Sequence, residues 1–363
     1  MPALGQRYAF GRHHDIDPVG LLIPRLPRLP GLIFVSLVVC LFGLSALGLD
    51  AFAAGSPWWR LDSTTLANID PPISVQRAWA PGPLSRRPVI LLLGSLATNS
   101  LPDWSTNLVR EGYMLVAFTA AHPPDPDPSR RAQWLVFDER FAHSYVLGGA
   151  RTPADASRVI DHLVALPDVD RDRIGWMGSS TTGILGLAVA TREPRLKTLV
   201  AFVATGAYER WLETWKPNGL WRSGANGLWL ETRSLLPLAD PIHSVSNLFP
   251  KAILLVNGGE DKVVDPASTR AFFDAARPFY ARDPERLRFV RYEGFGHNLP
   301  SDVVRLYTEH WFHLYLHPTQ PPPPSPKVPA SLEESARRTA VTASPHDEAV
   351  GAIPVPSRRS PIE

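Results

Sequence analysis

The chain has 363 residues, and its 44% hydrophobic and 20% charged content is typical of a globular protein with a sizeable core. A formal net charge of +2, without a basic stripe interleaved with aromatic residues, gives no electrostatic basis for binding nucleic acid. The single cysteine, Cys40, excludes both a disulfide framework and a thiolate metal cluster.

The N-terminal part differs from the rest of the chain. Residues 1–30 are rich in proline and lack periodicity, so we predict a disordered leader. Residues 31–49 contain an uncharged apolar run that is long enough to span a bilayer as a transmembrane helix. Arg25 and Arg28 precede this run, and the asymmetry of charge places the leader in the cytoplasm and the body outside. We therefore predict a membrane anchor or, if a signal peptidase cuts at residues 51–53, a secreted or periplasmic protein.

Residues 55–317 are predicted to form one α/β domain with a mostly parallel sheet, because short apolar runs alternate there with helical stretches. The predicted strands cover residues 73–80, 88–93, 113–118, 173–177, 199–204, 252–256 and 287–292. The predicted helices cover residues 101–110, 152–166, 182–191, 266–276 and 302–315. The second of these helices is expected to begin at Thr152, a capping residue followed by a proline. The proline-rich residues 318–363 are predicted to be a disordered tail.

The strongest chemical signal lies in residues 173–183, RIGWMGSSTTG. A strand ends there in a sharp turn and a helix follows directly, which exposes a serine hydroxyl above the sheet beside the N–H groups of the helix start. Gly178 precedes Ser180 by two residues, as in the spacing G-x-S-x-G, but Thr182 stands where that spacing has its second glycine. Ser179 is the rival nucleophile, although its frame has no glycine on either side. A turn in which the serines only cap the helix is the alternative.

A candidate acid follows a late strand. Residues 257–266, NGGEDKVVDP, come after the predicted strand 252–256 and place Asp261 where an acid can orient a histidine. Glu260 and Asp265 are alternatives, and Asp265 also fits the cap of the following helix. A solvated loop carboxylate is the alternative interpretation of Asp261.

A candidate base follows the last strand. Residues 292–298, YEGFGHN, place His297 in a glycine-rich loop with the backbone freedom to reach over the nucleophile. The chain order serine, aspartate, histidine, with each residue after a strand, predicts a catalytic triad of Ser180, Asp261 and His297. In this prediction His297 is the general base, and Asp261 holds its tautomer and stabilises the imidazolium.

Two backbone N–H groups are predicted to bind the oxyanion. One belongs to Thr181, directly after the nucleophile. The second is expected in the loop after the strand 88–93, from Ser95 or Leu96.

The stretch at about residues 206–248 is predicted to be a helical, tryptophan-rich cap over the active site. Its tryptophans can line an apolar acyl pocket, or they can simply pack the cap onto the body. The candidate pocket residues are Trp211, Trp215, Trp221 and Trp229.

At these residues the chain resembles the α/β-hydrolase superfamily, and within it the dienelactone hydrolase and prolyl-oligopeptidase-like branches. The segment 155–175, which leads into the turn at Ser180, and the GGED…VVDP segment 258–266 carry the resemblance. The resemblance covers about residues 72–317 and implies an α/β-hydrolase fold. Its sheet would be eight-stranded and mostly parallel, with helices on both faces, and it implies no metal or organic cofactor. The chain departs from the family at Thr182 and lacks a His-Gly pair after the strand 88–93.

The leading hypothesis is a serine hydrolase that cleaves the carboxylic ester of a small-molecule acyl substrate through an acyl-enzyme on Ser180. The alternatives among enzymes are a prolyl-oligopeptidase-like peptidase and an acyltransferase or thioesterase. A catalytically silent binding protein on the hydrolase fold is the non-enzymatic alternative, and Thr182 is the residue that favours it. The sequence predicts no particular oligomeric state.

Overall fold

The structure is a computed structural model, and it describes residues 58–82, 86–120, 139–214 and 227–316. The predicted leader, apolar run and tail (residues 1–30, 31–49 and 318–363) lie outside the described residues. Among the helices that the structure describes, none is long and apolar enough to cross a membrane. This finding goes against the predicted transmembrane helix, whose residues 31–49 themselves lie outside the described part of the chain. The longest described helix carries charged residues, among them Arg151, Asp155, Arg158 and Asp161. Export from the cytoplasm stays a prediction.

Eight strands form a single sheet in the part of the chain that the structure describes. In chain order they are β1 (Arg60–Leu66), β2 (Ile73–Trp79), β3 (Arg87–Leu93), β4 (Met114–Phe118), β5 (Val169–Ser179), β6 (Leu196–Phe202), β7 (Ala252–Gly258) and β8 (Leu287–Tyr292). Their spatial order is β1-β2-β4-β3-β5-β6-β7-β8. The pairs β1/β2 and β2/β4 are antiparallel, and every later pair is parallel. The predicted mostly parallel, eight-stranded sheet is therefore confirmed.

Seven helices surround the described sheet. They are α1 (Thr106–Arg110), α2 (Glu139–Val164), α3 (Thr181–Ala190), α4 (Tyr208–Glu213), α5 (Gly227–Ala239), α6 (Pro266–Ala276) and α7 (Ser301–Leu316). A short 3-10 helix precedes α1, so the predicted helix 101–110 is only half α-helical.

Helix α2 begins at Glu139, so the predicted helix start at Thr152 is wrong. Pro153 lies inside the helix and cannot donate to the carbonyl four residues earlier, which belongs to Gly149. The guanidinium of Arg192 donates to that carbonyl instead, at 3.0 Å. This contact compensates for the missing helical hydrogen bond and lets the helix continue through the proline.

Helices cover both faces of the sheet, as the resemblance implied. Successive side chains of a strand point to opposite faces, and the central strands are apolar on both. Val89 and Leu91 of β3 pack with Val159 and the other apolar residues of α2 and α3. Ile90 points the other way and packs with Trp311 and its neighbours on α1 and α7.

Three loops at the carboxyl edge of the sheet matter for the site. Strands β5, β7 and β8 are parallel, so their carboxyl ends meet at the same edge. We call residues 178–183, at the end of β5, the elbow. We call residues 259–265, after β7, the acid loop, and residues 293–298, after β8, the histidine loop.

The stretch predicted to be a cap contains α4, α5 and a 3-10 helix (Pro241–Asn247). The buried carboxylate of Asp240 accepts hydrogen bonds from the backbone N–H groups of Tyr208 and Glu209, both at 2.9 Å. It therefore joins the start of α4 to the end of α5. Residues 215–226 lie outside the described residues, and a tryptophan-rich cap over the site stays a prediction.

Candidate active site

The structure brings the three predicted triad residues into one hydrogen-bonded chain. His297 Nε2 lies 2.9 Å from Ser180 Oγ, and His297 Nδ1 lies 2.8 Å from Asp261 Oδ2. The side chain of Asp261 is fully buried, whereas that of His297 is 16% exposed. Water is thus kept from the carboxylate, while the imidazole and the serine remain open to a substrate. The proton of Ser180 has a direct path to a nitrogen whose ring is oriented by a buried negative charge.

The elbow holds Ser180 in a strained backbone conformation, with φ at 52° and ψ at −122°. Residues other than glycine rarely adopt a positive φ, and such strain is concentrated at functional sites. The N–H of Ser180 donates to Phe202 O at 2.9 Å, which ties the turn to β6. A Cβ on Gly178 would lie 2.4 Å from Thr182 O, and one on Gly183 would lie 2.8 Å from Ala204 Cβ. The turn therefore requires glycine at both positions.

The structure explains why a threonine can replace the second glycine of the usual spacing. Thr182 Oγ1 accepts from the N–H of Ser179 at 2.9 Å and donates to the carbonyl of the same residue at 3.0 Å. The indole N–H of Trp176 donates to Thr182 O at 3.1 Å. Thr182 therefore clamps the turn with its hydroxyl, and its Cβ needs no space inside the turn.

Removing this clamp has a predictable effect on stability. Thr182→Val keeps the shape of the side chain but removes both hydrogen bonds to Ser179. We expect the free energy of unfolding, measured by urea denaturation, to fall by about 1 kcal/mol. Thr182→Ser retains the hydroxyl and should stay near wild type. A loss of stability in Thr182→Ser together with wild-type stability in Thr182→Val would show that the methyl group, rather than the hydroxyl, stabilises the turn.

Asp261 is fixed by backbone donors as well as by the histidine. Its Oδ1 accepts from the N–H groups of Val263 at 2.8 Å and Val264 at 3.0 Å, which leaves Oδ2 for His297. The two alternative acids have other surroundings. Asp265 caps α6 by accepting from Ala267 N at 3.1 Å, and Glu260 is exposed.

The acid loop and the histidine loop are joined by their backbones. Gly259 N donates to Tyr292 O at 2.5 Å, and Glu260 N donates to Phe295 O at 2.9 Å. A Cβ on Gly258 would lie 2.1 Å from a backbone oxygen of the histidine loop, so only glycine allows this approach. The two glycines that precede the acidic pair were visible in the sequence, but the contact that requires them was not.

The predicted oxyanion donors differ in their surroundings. Thr181 is the first residue of α3, where a backbone N–H has no partner within the helix. Ser95 is exposed in the loop after β3. Leu96 is a correction: its side chain is buried in the core, and its N–H donates to Gln76 Oε1 at 2.7 Å. Because that N–H already has a partner, the structure argues against Leu96 as the second donor.

Trp211 packs the cap region onto the body. It is 1% exposed, and its Nε1–H donates to Val263 O at 2.8 Å. Its ring meets that of Tyr145 edge-on. These contacts favour the packing interpretation over the acyl pocket for this residue. The candidate pocket residues Trp215 and Trp221 lie outside the described residues. Trp229 has its backbone in α5, but its side chain is not described.

Sequence reasoning missed Tyr145, whose hydroxyl is hydrogen bonded to Thr181 Oγ1 beside the nucleophile. Tyr145 belongs to the part of α2 that was not predicted, and no local pattern marks it. Only the packing of α2 against α3 brings it to the elbow.

Fold and site together define the class of this protein: the chain has the fold of the α/β-hydrolase superfamily, with a serine, a histidine and an aspartate joined by hydrogen bonds at the carboxyl edge of the sheet. Within that superfamily, residues 139–316 match the prolyl oligopeptidase family. The matched segment contains all three residues of the hydrogen-bonded chain, from the elbow to the histidine loop.

Proteins that are similar to this chain in sequence or in structure include both esterases and peptidases. It is 30% identical over 152 residues to "Putative esterase YitV" of Bacillus subtilis (strain 168), an alignment that covers 41% of this chain and 59% of that relative. Acetyl xylan esterase from Paenibacillus sp. R4 has a similar structure, with a TM-score of 0.53, 15% identity, and coverage of 78% of this chain and 94% of that one. The Pyrococcus horikoshii acylaminoacyl peptidase also has a similar structure, with a TM-score of 0.53 and 17% identity. The match covers 81% of this chain and 44% of the peptidase. At these identities, the structural likeness shows the fold alone.

Proposed function

We propose that this protein is a serine hydrolase that cleaves a carboxylic ester of a small-molecule substrate through an acyl-enzyme on Ser180. The observation that carries the proposal is the unbroken hydrogen-bonded chain from Ser180 through His297 to the buried Asp261. A loop serine held at positive φ and a histidine with one open edge have no evident structural use, but both are needed for nucleophilic attack.

The first half of the reaction forms the acyl-enzyme. Ser180 Oγ attacks the ester carbonyl carbon while its proton passes to His297 Nε2. The carbonyl electrons move onto the oxygen, which the N–H of Thr181 and a second donor stabilise as an oxyanion. When the carbonyl re-forms, the bond to the leaving oxygen breaks, and His297 gives its proton to that oxygen. An alcohol leaves, and the acyl group stays on Ser180.

The second half repeats these steps with water. His297 takes a proton from the water as its oxygen attacks the acyl carbon, and the collapse of the second oxyanion breaks the bond to Ser180 Oγ. The proton on His297 returns to that oxygen, a carboxylic acid is released, and the enzyme is restored. Asp261 keeps its charge throughout, and its pairing with Nδ1 stabilises the imidazolium in both halves.

The identity of the bond that is cleaved rests on the relatives. The relative from Bacillus subtilis is named "Putative esterase YitV". This chain also covers most of the length of the acetyl xylan esterases to which its structure is similar. The peptidases of similar structure are more than twice as long as the part that this chain covers. Both facts support an ester substrate of modest size.

A serine-reactive fluorophosphonate probe tests the proposal on the full chain. We expect it to label the wild-type protein and the Ser179→Ala variant, but not Ser180→Ala, because only Ser180 is paired with His297. Gel fluorescence and mass spectrometry of the labelled peptide are the measurements. A folded wild-type protein that takes no label would contradict the proposal and would favour a catalytically silent binding protein.

A peptidase is the second candidate, because residues 139–316 match the prolyl oligopeptidase family. Steady-state assays with p-nitrophenyl acetate and with a dipeptide p-nitroanilide separate the two. We expect turnover of the ester and little turnover of the anilide. Preference for the anilide would replace the ester proposal with the peptidase one and leave the roles of the three residues unchanged.

A further inference from the structure

Tyr145 and Trp211, which we call the aromatic pair, connect the elbow with the acid loop through contacts that the reaction described above does not use. The hydroxyl of Tyr145 is hydrogen bonded to Thr181 Oγ1, and Thr181 directly follows the proposed nucleophile. The ring of Tyr145 packs edge-on against Trp211, with ring centroids 5.2 Å apart. The indole Nε1–H of Trp211 then donates to Val263 O at 2.8 Å.

These contacts continue into the triad. The N–H of Val263 donates to Asp261 Oδ1 at 2.8 Å. Asp261 holds His297, and His297 in turn reaches Ser180. The elbow and the acid loop are therefore connected twice, once through the triad and once through the aromatic pair. The second connection lies within the core, since both members of the pair are buried.

The hydroxyl of Tyr145 is well placed to form a stable hydrogen bond with Thr181 Oγ1. Burial raises the pKa of Tyr145 to about 12, so the phenol stays protonated at neutral pH and can donate to Thr181 Oγ1. A hydrogen bond in such a buried place is stronger than one at the surface, because water competes less for its partners. The aromatic ring, with few rotatable bonds and a packed neighbour, keeps the donor in place.

We propose that Tyr145 is a positioning residue for the reaction: it holds Thr181 by its side chain and thereby aims the backbone N–H of Thr181 at the oxyanion. This inference rests on the proposed function. The oxyanion develops only on the way to the transition state, so an ill-aimed donor should lower kcat and leave substrate binding nearly unchanged.

The Tyr145→Phe variant tests this role, since it removes the hydroxyl and keeps the ring against Trp211. For p-nitrophenyl acetate and the full chain, we expect kcat to fall about tenfold and KM to change less than about twofold. Tyr280→Phe is the matched control. Tyr280 is also buried, and its hydroxyl donates to Lys251 O at 2.8 Å, away from the triad. Its kcat should equal that of the wild type.

A double variant separates positioning from a merely structural role. Thr181→Val alone takes away a partner of a buried phenol, so we expect it to lower the melting temperature. Combining it with Tyr145→Phe removes both hydroxyls and should restore most of that loss. In contrast, kcat should stay about tenfold low in both single variants and in the double variant, because the side chain at position 181 is no longer held.

Three results would overturn the positioning role. A wild-type kcat in Tyr145→Phe would show that the hydroxyl does not act on the reaction. A raised KM with unchanged kcat would show a direct contact with substrate. Recovery of kcat together with stability in the double variant would show that the two hydroxyls only satisfy each other. A wild-type protein that neither takes the fluorophosphonate label nor hydrolyses the ester would instead overturn the proposed function itself, so the two failures are distinguishable.

Discussion

The His297→Ala variant should lose roughly a million-fold in kcat for ester hydrolysis, about as much as the loss of a whole triad. Without the imidazole, nothing at 2.9 Å from Ser180 Oγ accepts its proton, and nothing returns a proton to the leaving oxygen. The melting temperature should stay near the wild-type value, because the side chain is partly exposed and packs in a loop. Steady-state kinetics and thermal denaturation of the same preparation measure both quantities.

His243→Ala is the control for this variant. His243 is exposed in the 3-10 helix after α5, and its removal should leave both kcat and the melting temperature unchanged. If His297→Ala instead unfolds the protein at ordinary temperature, His297 has a structural role, and the lost activity says nothing about proton transfer. If the variant folds and turns over ester at the wild-type rate, the proposed base is wrong.

The Asp261→Asn variant should keep the fold and lose about 10,000-fold in kcat. The asparagine carbonyl can still accept from the N–H groups of Val263 and Val264. Its amide, however, would donate to His297 Nδ1, which places the remaining ring proton on Nε2, where it faces Ser180. In that tautomer the histidine cannot accept the proton of the nucleophile. The single-turnover rate of acylation, measured as the burst of released p-nitrophenol, checks this expectation.

Two neighbouring carboxylates provide matched controls for Asp261. Asp265→Asn retains a good helix cap on α6, since asparagine caps as well as aspartate does. Glu260→Gln changes an exposed side chain in the same loop. Both variants should keep wild-type kcat. A large loss in either one, with Asp261→Asn active, would move the role of the acid to that residue.

The central sheet could be predicted from the sequence because strands buried on both faces are continuous apolar runs. Strands β3, β4, β7 and β8 lie within a residue or two of their predicted bounds. Strand β1 was missed, because its sequence RLDSTTL is polar and half exposed and pairs on one side only. Helix α2 was predicted too short, because a capping pattern at Thr152 and Pro153 occurs inside a helix, where a distant arginine satisfies the freed carbonyl.

In the candidate site, too, some features could be predicted from the sequence and others became visible only in the structure. The hydrogen-bonded residues Ser180, Asp261 and His297 were predicted from local signals, since each stands in a turn that directly follows a strand. Among the predicted oxyanion donors, Leu96 was wrong, because its N–H donates to a glutamine from another strand. Thr182 looked like a defect in the elbow, and only the geometry shows its hydroxyl bonding back onto the turn.

The sequence by itself determined the class of fold and the order of the three side chains, because apolar periodicity and turn residues act over a few neighbouring positions. The tertiary structure alone decided which groups meet: the imidazole of His297 with Ser180 and with Asp261, and the phenol of Tyr145 with Thr181. Such contacts join residues far apart along the chain, and their geometry follows from how helices and loops pack at the carboxyl edge of the sheet. No local pattern contains that information.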